Sequence, residues 1–375
     1  MSHLNVAFWN LQNLFDTSAS DIAADLEFTP SEGWTDEVLE QKFDRLVEII
    51  AGMYGGTGPD LLDLCEIETQ GLLEKLVAKV NVATGRDDLT FAHTDSPDIR
   101  GIDCSLVFSA AKFELACDPT GHLVHFRYPT RDVFEVPLRV RENGEELIVF
   151  VTHWPSRIAG DSEPFRIAVA SQVGRLIDGY LKLPLSEIVD AETLEDLYPE
   201  MKARWSRNVL IMGDLNDDPF NTSVLDELLA TNSEDAIEEE IKVPKDDRDG
   251  TGKIRKSDVA QYLAKQATLY NLSWGPLGVP GEGTIHFSND SGRNKQMFDQ
   301  MIISRGLYYG LNGLQMTQES FEIIVPKVMW TQPTAGDDLG RHMVRPKRFD
   351  KRNGKGYSDH FPIGAVISVL KTQTS

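Results

Sequence analysis

Hydrophobic residues in this chain form short continuous runs, and longer amphipathic stretches lie between them. The runs predict strands, and because almost every position in them is apolar, we expect both faces of the resulting sheets to be covered. The predicted strands are Leu4–Trp9, Asp60–Cys65, Cys104–Phe108, Glu146–His153, Asn208–Met212, Met297–Ile303 and Pro362–Val369. Strands that alternate with helices in this way indicate an α/β protein or a mixed-sheet protein.

Three of the intervening stretches predict helices. Asp36–Met53 carries an apolar stripe with helical periodicity, and Thr35 precedes it as a candidate N-cap. Pro164–Leu181 begins with a proline, which suits a first helical turn because the missing N–H would be unpaired there. The third predicted helix is Thr222–Leu229.

The composition indicates one large folded domain. A chain of 375 residues with 41% hydrophobic content can bury a sizeable core. Polar and highly charged segments interrupt the pattern in three places, and we interpret them as surface insertions in a single domain that spans residues 1–375. These segments are 183–207, 231–261 and 331–356.

The sequence also suggests a location. The first residues lack the pattern of a signal peptide, and no apolar run approaches the roughly 18 residues of a membrane span. We therefore expect a soluble, cytoplasmic protein. The three cysteines are an odd number without CxxC spacing, so we expect reduced, buried thiols at Cys65, Cys104 and Cys117.

The distribution of charge bears on the partner. A net charge of -22 opposes nonspecific binding to nucleic acid, which depends on Lys and Arg neutralising phosphates. Two acidic stretches, 187–200 and 234–240, carry much of this charge, whereas residues 341–355 hold seven Lys or Arg against the single acid Asp350. This segment is either a basic rim beside a substrate site or a solvated loop face.

Polar or charged residues lie at the ends of several of the apolar runs or in the turns beside them. Ligands in α/β proteins collect beyond the ends of strands, so we expect these side chains to converge on one site. The candidates are Asn10, Glu66, His153, Asp214, Asn216, Asp299, Asp359 and His360.

These residue types suit metal-assisted cleavage of a phosphate ester. A hard cation such as Mg²⁺ prefers oxygen ligands and leaves positions open for a substrate phosphate, and Glu66 and Asn10 supply such oxygens. Cleavage further needs an activated water, charge stabilisation and protonation of a leaving oxygen. Asp214 and the two histidines suit these roles. Asp299 is a natural partner for His360, because a carboxylate at one ring nitrogen favours the charged imidazole.

Each residue alone has a simpler interpretation. In that interpretation, Asn10 would cap a turn and Glu66 would be an ordinary charge at a strand end. His153 would be a core histidine, and Asp214 would open a turn-rich loop. Asp299 is different, because its apolar neighbours would bury it and a buried acid must find a partner. The occurrence of all these signals in one chain favours a catalytic site.

In their order, these motifs resemble those of the endonuclease/exonuclease/phosphatase superfamily, which includes deoxyribonuclease I, exonuclease III, neutral sphingomyelinases and inositol polyphosphate 5-phosphatases. The resemblance runs from Trp9-Asn10 to Ser358-Asp359-His360 and is most specific at Gly213-Asp214-Leu215-Asn216. Other segments are similar to a bacterial branch. The resemblance implies a four-layer α/β sandwich, with two packed mixed β-sheets flanked by helices, and a hydrolase that depends on Mg²⁺ or Mn²⁺.

The resemblance also implies roles for individual residues. Glu66 would be the main metal ligand, with Asn10 and Asp359 near the metal. Asp214 and Asn216 would orient or deprotonate the attacking water, Asp299 would hold His360 against the phosphate, and His153 would act on the leaving-group side. Asp103 is a candidate partner of His153 by motif position. Arg100 and Arg157 either contact substrate phosphate as forked donors or form surface salt bridges.

Three functional hypotheses follow. The first is an endonuclease that cuts DNA or RNA, favoured by the basic segment 341–355. The second is a phosphodiesterase or phosphatase that acts on a small molecule or a lipid headgroup, favoured by the charge of -22. The third is a non-catalytic binding protein on the same fold, which would normally have lost one of the site residues.

Overall fold

A computed structural model gives the fold. It describes the residues 2–18, 26–128, 130–157, 160–190, 195–238, 260, 262–277, 282–286, 295–331 and 344–371. Most of the predicted insertion 231–261 and residues 332–343 of the predicted insertion 331–356 therefore lie outside the described residues.

The described chain contains strands that we number in order along the sequence. They are β1 (Ser2–Leu14), β2 (Leu61–Ile67), β3 (Leu89–His93), β4 (Asp103–Ser109), β5 (Phe113–Leu115), β6 (Thr120–His122), β7 (Val133–Val140), β8 (Glu146–His153), β9 (Asn208–Asp214), β10 (Ala230–Thr231), β11 (Leu269–Asn271), β12 (Ile285–His286), β13 (Lys295–Gln296), β14 (Asp299–Ile303), β15 (Leu314–Met316), β16 (Glu322–Ile323), β17 (Trp330–Thr331), β18 (Arg345–Pro346) and β19 (Ile363–Val369).

The α-helices are numbered in the same way. They are α1 (Asp36–Gly52), α2 (Gln70–Thr84), α3 (Glu163–Leu181), α4 (Leu185–Asp190), α5 (Tyr198–Trp205), α6 (Glu234–Glu238) and α7 (Arg305–Tyr309).

Two mixed sheets form the centre of the molecule. The first has the strand order β15-β19-β1-β2-β4-β3, with β16 also paired to β19. The second has the order β10-β11-β14-β9-β8-β7-β5, with β6 also paired to β7. Strands β1 and β2 are parallel, as are β8 and β9, whereas β14 runs antiparallel to β9. Helices flank the two sheets, so the expected four-layer α/β sandwich is confirmed.

Alternation along β1 shows how the layers are held together. Val6 and Phe8 belong to the apolar cluster between the sheets, while Ala7 and Trp9 pack on the other face with α1 and α2. Strand β9 does the same, since Leu210 faces the opposing sheet and its neighbours pack against α3 and α5. Burial on both faces explains why these strands read as continuous apolar runs.

All seven predicted strands are present, as β1, β2, β4, β8, β9, β14 and β19. The predictions missed Val133–Val140, because Pro137 interrupts that run and proline is uncommon inside a sheet. Two predicted helices are confirmed as α1 and α3, and the hydroxyl of Thr35 accepts a hydrogen bond from the backbone N–H of Val38 at 3.4 Å.

Two other predictions need correction. The segment Thr222–Leu229 forms a single π-helical turn, Ser223–Glu227, instead of an α-helix. The segment 183–207, interpreted as a surface insertion, folds into α4 and α5 and contributes buried side chains to the cluster beneath α3, among them Met201 and Trp205. Charged and apolar residues alternate along this segment, so its composition alone did not reveal which side chains are buried.

The three thiols are unpaired, as expected. Cys65 and Cys104 are buried opposite one another on β2 and β4, but Cys117 is exposed, so the expectation of burial is wrong there. Cys117 lies just beyond β5, outside the apolar run. None of the described helices is both long and apolar enough to cross a membrane. The cytoplasmic location stays a prediction.

One carboxylate lies in an unusual place between the sheets. Asp63 of β2 is fully buried, and neither of its oxygens has a hydrogen-bond partner among the described residues. Burial raises the pKa of Asp63 well above its usual value, and the nearby charge of Asp299 raises it further. The folded protein therefore holds Asp63 neutral at pH values where the unfolded chain would ionise it.

This arrangement predicts how stability depends on pH. When the pKa of a carboxyl group is higher in the folded protein than in the unfolded chain, the free energy of unfolding falls as pH rises. The fall begins near the pKa of the unfolded chain, about 4, and ends near the pKa of the folded protein. We expect Asp63→Asn to reduce the loss of thermal stability between pH 5 and pH 8, as measured by thermal unfolding. Exposed Asp226→Asn is the control. Equal pH dependence in wild type and Asp63→Asn would contradict the prediction.

Candidate active site

Strands from both sheets end at the same edge of the sandwich. The side-chain Nδ2 of Asn10, on β1, donates a 3.0 Å hydrogen bond to Oδ2 of Asp214, at the end of β9 in the other sheet. The same oxygen lies 3.7 Å from Nε2 of His153 and 3.7 Å from Nε2 of His360. The predicted residues do converge, and Asp214 is at their centre.

The register of the strands produces this convergence. His153 and Asp214 are partners at the ends of parallel β8 and β9, and Asp299 is the partner of Asp214 across antiparallel β14. Gly213 allows the close approach, because a Cβ there would lie 1.9 Å from the carbonyl oxygen of Thr152. One end of the sheet thus carries three titratable side chains in a row.

Hydrogen bonds fix the turn that carries His360. The hydroxyl of Ser358 donates to the carbonyl of Asn10 at 2.7 Å. Oγ of Ser358 in turn accepts a hydrogen bond from the backbone N–H of His360 at 3.1 Å. The indole of Trp9 donates to the carbonyl of His360 at 3.0 Å. Nδ1 of His360 lies 3.0 and 2.8 Å from the two oxygens of Asp299. The predicted pair of Asp299 and His360 is therefore formed.

The electrostatics favour a charged His360. Burial lowers its pKa, but the charges of Asp299 and Asp214 and the hydrogen bond with Asp299 outweigh burial and hold the pKa well above its usual value. Burial raises the pKa of Asp214 to about 7, against the lowering effect of His360. Asp214 can thus exchange between its acid and base forms near neutral pH, while His360 is charged.

His153 has the opposite character. Burial lowers its pKa well below the usual value, and the positive charges of Arg131, Arg100 and His360 lower it further, so its imidazole is neutral. Its Nδ1 has no hydrogen-bond partner among the described residues. The structure does not pair it with Asp103, whose Oδ1 instead accepts from the backbone and hydroxyl of Ser96.

Asn216 is held rigidly beside Asp214. Its backbone N–H donates to Oδ1 of Asp214 at 3.0 Å, and its Nδ2 donates to the carbonyl of Trp154 at 3.0 Å. Asn216 has φ 48°, and Gln12, Asn13 and Glu66 also have positive φ, between 56° and 67°. Strained backbone of this kind is typical of functional sites, where the surroundings over-determine the conformation.

Glu66 is the carboxylate best suited to a divalent cation. It is nearly buried, and its Oε2 accepts a 2.8 Å hydrogen bond from the backbone of Asn13. Within the described part of the chain, its one ion-pair contact is Oε1 to Nε2 of His153 at 3.9 Å, and that imidazole is neutral. A buried carboxylate without a paired cation fits a hard metal ion such as Mg²⁺ or Mn²⁺.

The surroundings of Glu66 support this fit. Asp359 is about one-third exposed, and its Oδ2 lies 3.9 Å from Nε of Arg348. Lys42 is fully buried below, where it donates to the carbonyls of Gln12 and Tyr357 at 3.3 and 2.8 Å. Burial lowers the pKa of Lys42 to about 7, although the charges of Asp359 and Glu66 raise it. The hydrogen bonds of Lys42 thus go to backbone carbonyls, and Lys42 forms no ion pair with Glu66.

A second group could also hold a metal. Ligand atoms of Asp214, Asp299 and His360 lie within 4.8 Å of one another and are all buried. However, Asp299 is occupied by Nδ1 of His360, and the raised pKa of that ring favours a proton over a metal ion. Of the two places, Glu66 is therefore better suited to a divalent cation.

The two candidate arginines have different surroundings. Arg100 reaches the site, where its Nη2 donates to the side-chain oxygen of Asn13 at 2.9 Å. Arg157 is tied into the loop after β9, with bonds to the carbonyl of Asn216 at 2.8 Å and to Asp217 at 2.9 Å. Its guanidinium also stacks 4.6 Å from the ring of Phe298. Arg157 supports the loop that carries Asn216, and its donors are largely used there.

Some residues of the site were missed by the sequence analysis. Lys42 interrupts the apolar stripe of α1 between Leu39 and Phe43, and a charge on an apolar face was an available signal. Arg131 donates to the carbonyls of His153 and Trp154 at 2.9 and 3.0 Å, but nothing in its local sequence indicates that role.

Comparison with known proteins identifies the family. A model described as the endonuclease/exonuclease/phosphatase family matches residues 5–243, which is more than half of the chain. The chain belongs to this family. Members of the superfamily are phosphoester hydrolases, and some are known to use divalent metals. No curated protein matches the sequence.

Solved structures of this superfamily have the same fold at low sequence identity. An endonuclease/exonuclease/phosphatase family protein from Bacteroides thetaiotaomicron is 12% identical, with a TM-score of 0.51 over 99% of this chain and 98% of that one. Another from Bacteroides vulgatus is 12% identical, with a TM-score of 0.52 over 98% and 100%. A D. rerio TDP2 humanised by 14 mutations is 13% identical, with a TM-score of 0.50 over 98% and 99%.

The metal assignment can be tested without measuring activity. A ligand that binds only the folded state raises the unfolding temperature, so Mn²⁺ should stabilise the wild-type protein. We expect Glu66→Gln to weaken Mn²⁺ binding by more than about tenfold, a loss that even an outer-shell change can cause. Exposed Glu74→Gln is the matched control. Mn²⁺ binding that survives Glu66→Gln and is lost in Asp299→Asn would place the metal at the other cluster.

Proposed function

We propose that this chain is a divalent-metal-dependent phosphodiester hydrolase, and that it is an endonuclease that cuts DNA or RNA. We further propose that residues 1–375 form one catalytic domain. The observation that carries the proposal is the buried cluster around Asp214, in which one carboxylate contacts Asn10 and faces His153 and His360. On one side of this cluster lie Glu66, Asn10 and Asp359, which we call the metal edge. On the other side lies the acid–base pair of Asp214 and His360.

The metal edge and the water-activating group are adjacent. Mg²⁺ or Mn²⁺, held by Glu66 with Asn10 and Asp359 nearby, would supply positive charge to the phosphoryl oxygens. Asp214, with its pKa near 7, accepts a proton from the attacking water. Asn216 fixes the orientation of Asp214 through its backbone N–H.

The two histidines divide the remaining roles. His360 is an imidazolium that Asp299 holds in place, and it donates a hydrogen bond or a proton to an oxygen of the phosphate. His153 is neutral and buried on the other side of Asp214, which suits a role beside the leaving group. The opposite pKa shifts of the two imidazoles give each a different task.

A polynucleotide is the substrate that best explains the basic segment. The described part of this segment, residues 344–355, meets the site where Arg348 approaches Asp359. Positive side chains at that position can bind phosphates on either side of the one that is cut. The overall charge of -22 favours a second candidate, a small phosphate ester as substrate, because it opposes long-range attraction of nucleic acid.

Catalytic substitutions test the reaction type. We expect His360→Ala and Asp214→Asn each to lower the rate of metal-dependent nicking of supercoiled plasmid by about 10³-fold, because each removes one proton-transfer group. Assays with Mg²⁺, Mn²⁺ and EDTA measure this rate, and thermal unfolding confirms that the variants fold. Near-full activity in either variant would exclude the assigned role.

Salt dependence distinguishes the two substrate classes. In a plot of the logarithm of the DNA-binding constant against the logarithm of salt concentration, replacing Lys347 and Lys355 with alanine should make the slope shallower by about 1 per residue removed. The control replaces Lys202 and Arg175, exposed residues on α5 and α3. Unchanged salt dependence, with cleavage of a small ester alone, would favour the second candidate.

A further inference from the structure

A pocket of about 530 Å³ opens beside the proposed metal edge. Its lining includes Asn13, whose backbone N–H donates to Glu66, and Arg348, which approaches Asp359 at 3.9 Å. A molecule in this pocket would therefore lie next to a phosphate bound at Glu66. The catalytic roles proposed for Asp214, His153 and His360 do not involve the side chains that line this pocket.

One wall of the pocket is aromatic. Phe28 stacks on Phe15 with ring centroids 4.3 Å apart and meets Trp34 edge-on at 5.2 Å. Trp34 in turn meets Phe349 edge-on at 6.1 Å. Trp34 and Phe349 are buried, whereas Phe28 is only half-buried. The ring of Phe28 is thus fixed from behind by Phe15 and lines the pocket, where the ammonium of Lys351 lies 5.9 Å from the ring centroid.

Most polar side chains along the pocket are already occupied by the protein. The amide of Gln12 exchanges hydrogen bonds with the backbone of Phe349 at 3.2 and 2.9 Å. Arg352 forms a forked pair with Asp350 at 2.9 and 3.0 Å, and the ammonium of Lys351 donates to the carbonyl of Glu27 at 2.7 Å. These groups shape the pocket and offer few free donors or acceptors to a ligand.

Among the cationic side chains that line the pocket, Arg348 is the exception. Its side chain is 69% exposed, and its one ion pair among the described residues is the 3.9 Å approach to Asp359. The pocket therefore offers an aromatic surface and one forked cation. That combination suits a flat base attached to a phosphate, whereas a bare sugar would need several hydrogen-bonding partners.

We propose that this pocket binds the base of the nucleotide next to the scissile phosphate, with Arg348 at the phosphate of that nucleotide. This inference rests on the proposed function and names its substrate class, a nucleotide with its base intact. Contact between a base and an aromatic side chain is worth about 10- to 100-fold in affinity. Phe28 is then a specificity-determining residue that lies outside the catalytic cluster.

Calorimetric titration of the full chain in Mg²⁺ tests the pocket directly, with AMP and ribose 5-phosphate as probes. We expect AMP to bind at least about tenfold more tightly, because ribose 5-phosphate lacks the base. Phe28→Ala should remove this preference, and Phe28→Tyr should keep it. Equal affinity of the two probes for wild type, or an unchanged preference in Phe28→Ala, would overturn the proposal.

A second substitution does not depend on the aromatic wall. Because Arg348 is exposed, the Arg348→Ala variant should fold normally. It should bind both probes about tenfold more weakly than the wild type. Arg175→Ala, which removes an exposed arginine on α3, is the matched control and should leave both affinities unchanged. Wild-type affinity in Arg348→Ala would contradict its assigned role.

Hydrolysis separates failure of the pocket from failure of the proposed function. The two substrates are thymidine 5′-(p-nitrophenyl phosphate) and methyl p-nitrophenyl phosphate, which share a leaving group and differ in the nucleoside. Phe28→Ala should lower kcat/KM for the first by about tenfold or more and leave the second unchanged. If the wild type cleaves neither ester, the proposed hydrolase function fails for such esters. The binding titration does not depend on hydrolysis and still tests whether the pocket binds a base. Equal losses on both esters would overturn the base-binding role.

Discussion

The burial of Asp214 where the two sheets meet is the constraint on which the site depends. Its carboxylate has lost most of its water, so its partners must come from the protein. Asn10 reaches it from the opposite sheet, and His360 approaches it with a charge that Asp299 stabilises. The sandwich therefore positions catalytic groups by the same packing that holds its layers together. A shift of one sheet against the other would leave a buried charge without partners.

Much of this arrangement follows from the order of residue types. Strands buried on both faces require apolar side chains throughout, so the polar residue that ends each run marks the edge of the sheet. Asn10, Glu66, His153 and Asp214 each end or follow a predicted strand, and Asp299 lies near the start of one. The structure brings them to the same edge. Pairing of Asp299 with His360 was predictable because a buried acid needs a partner.

Other features depend on contacts between distant segments, which local patterns do not contain. Asp103 was expected near His153, yet its oxygen bonds Ser96, because the chain before β4 folds back over it. The donors of Arg157 are used on the loop after β9, about 60 residues further along the chain, and no spacing rule indicated that. The aromatic pocket joins residues near positions 12, 28 and 349, so only the tertiary structure shows it. Metal dependence and the substrate remain proposals that rest on side-chain chemistry.

The most direct test of this account is the charge of the two site histidines. NMR of protein labelled with ¹⁵N in its eight histidine rings, with His153→Ala and His360→Ala used for assignment, measures each protonation state as pH is varied. We predict that the His360 ring stays charged at pH 7, because Asp299 and Asp214 hold its pKa up, and that the His153 ring is neutral. A neutral His360 at pH 7, or a charged His153, would contradict the division of acid and base roles around Asp214.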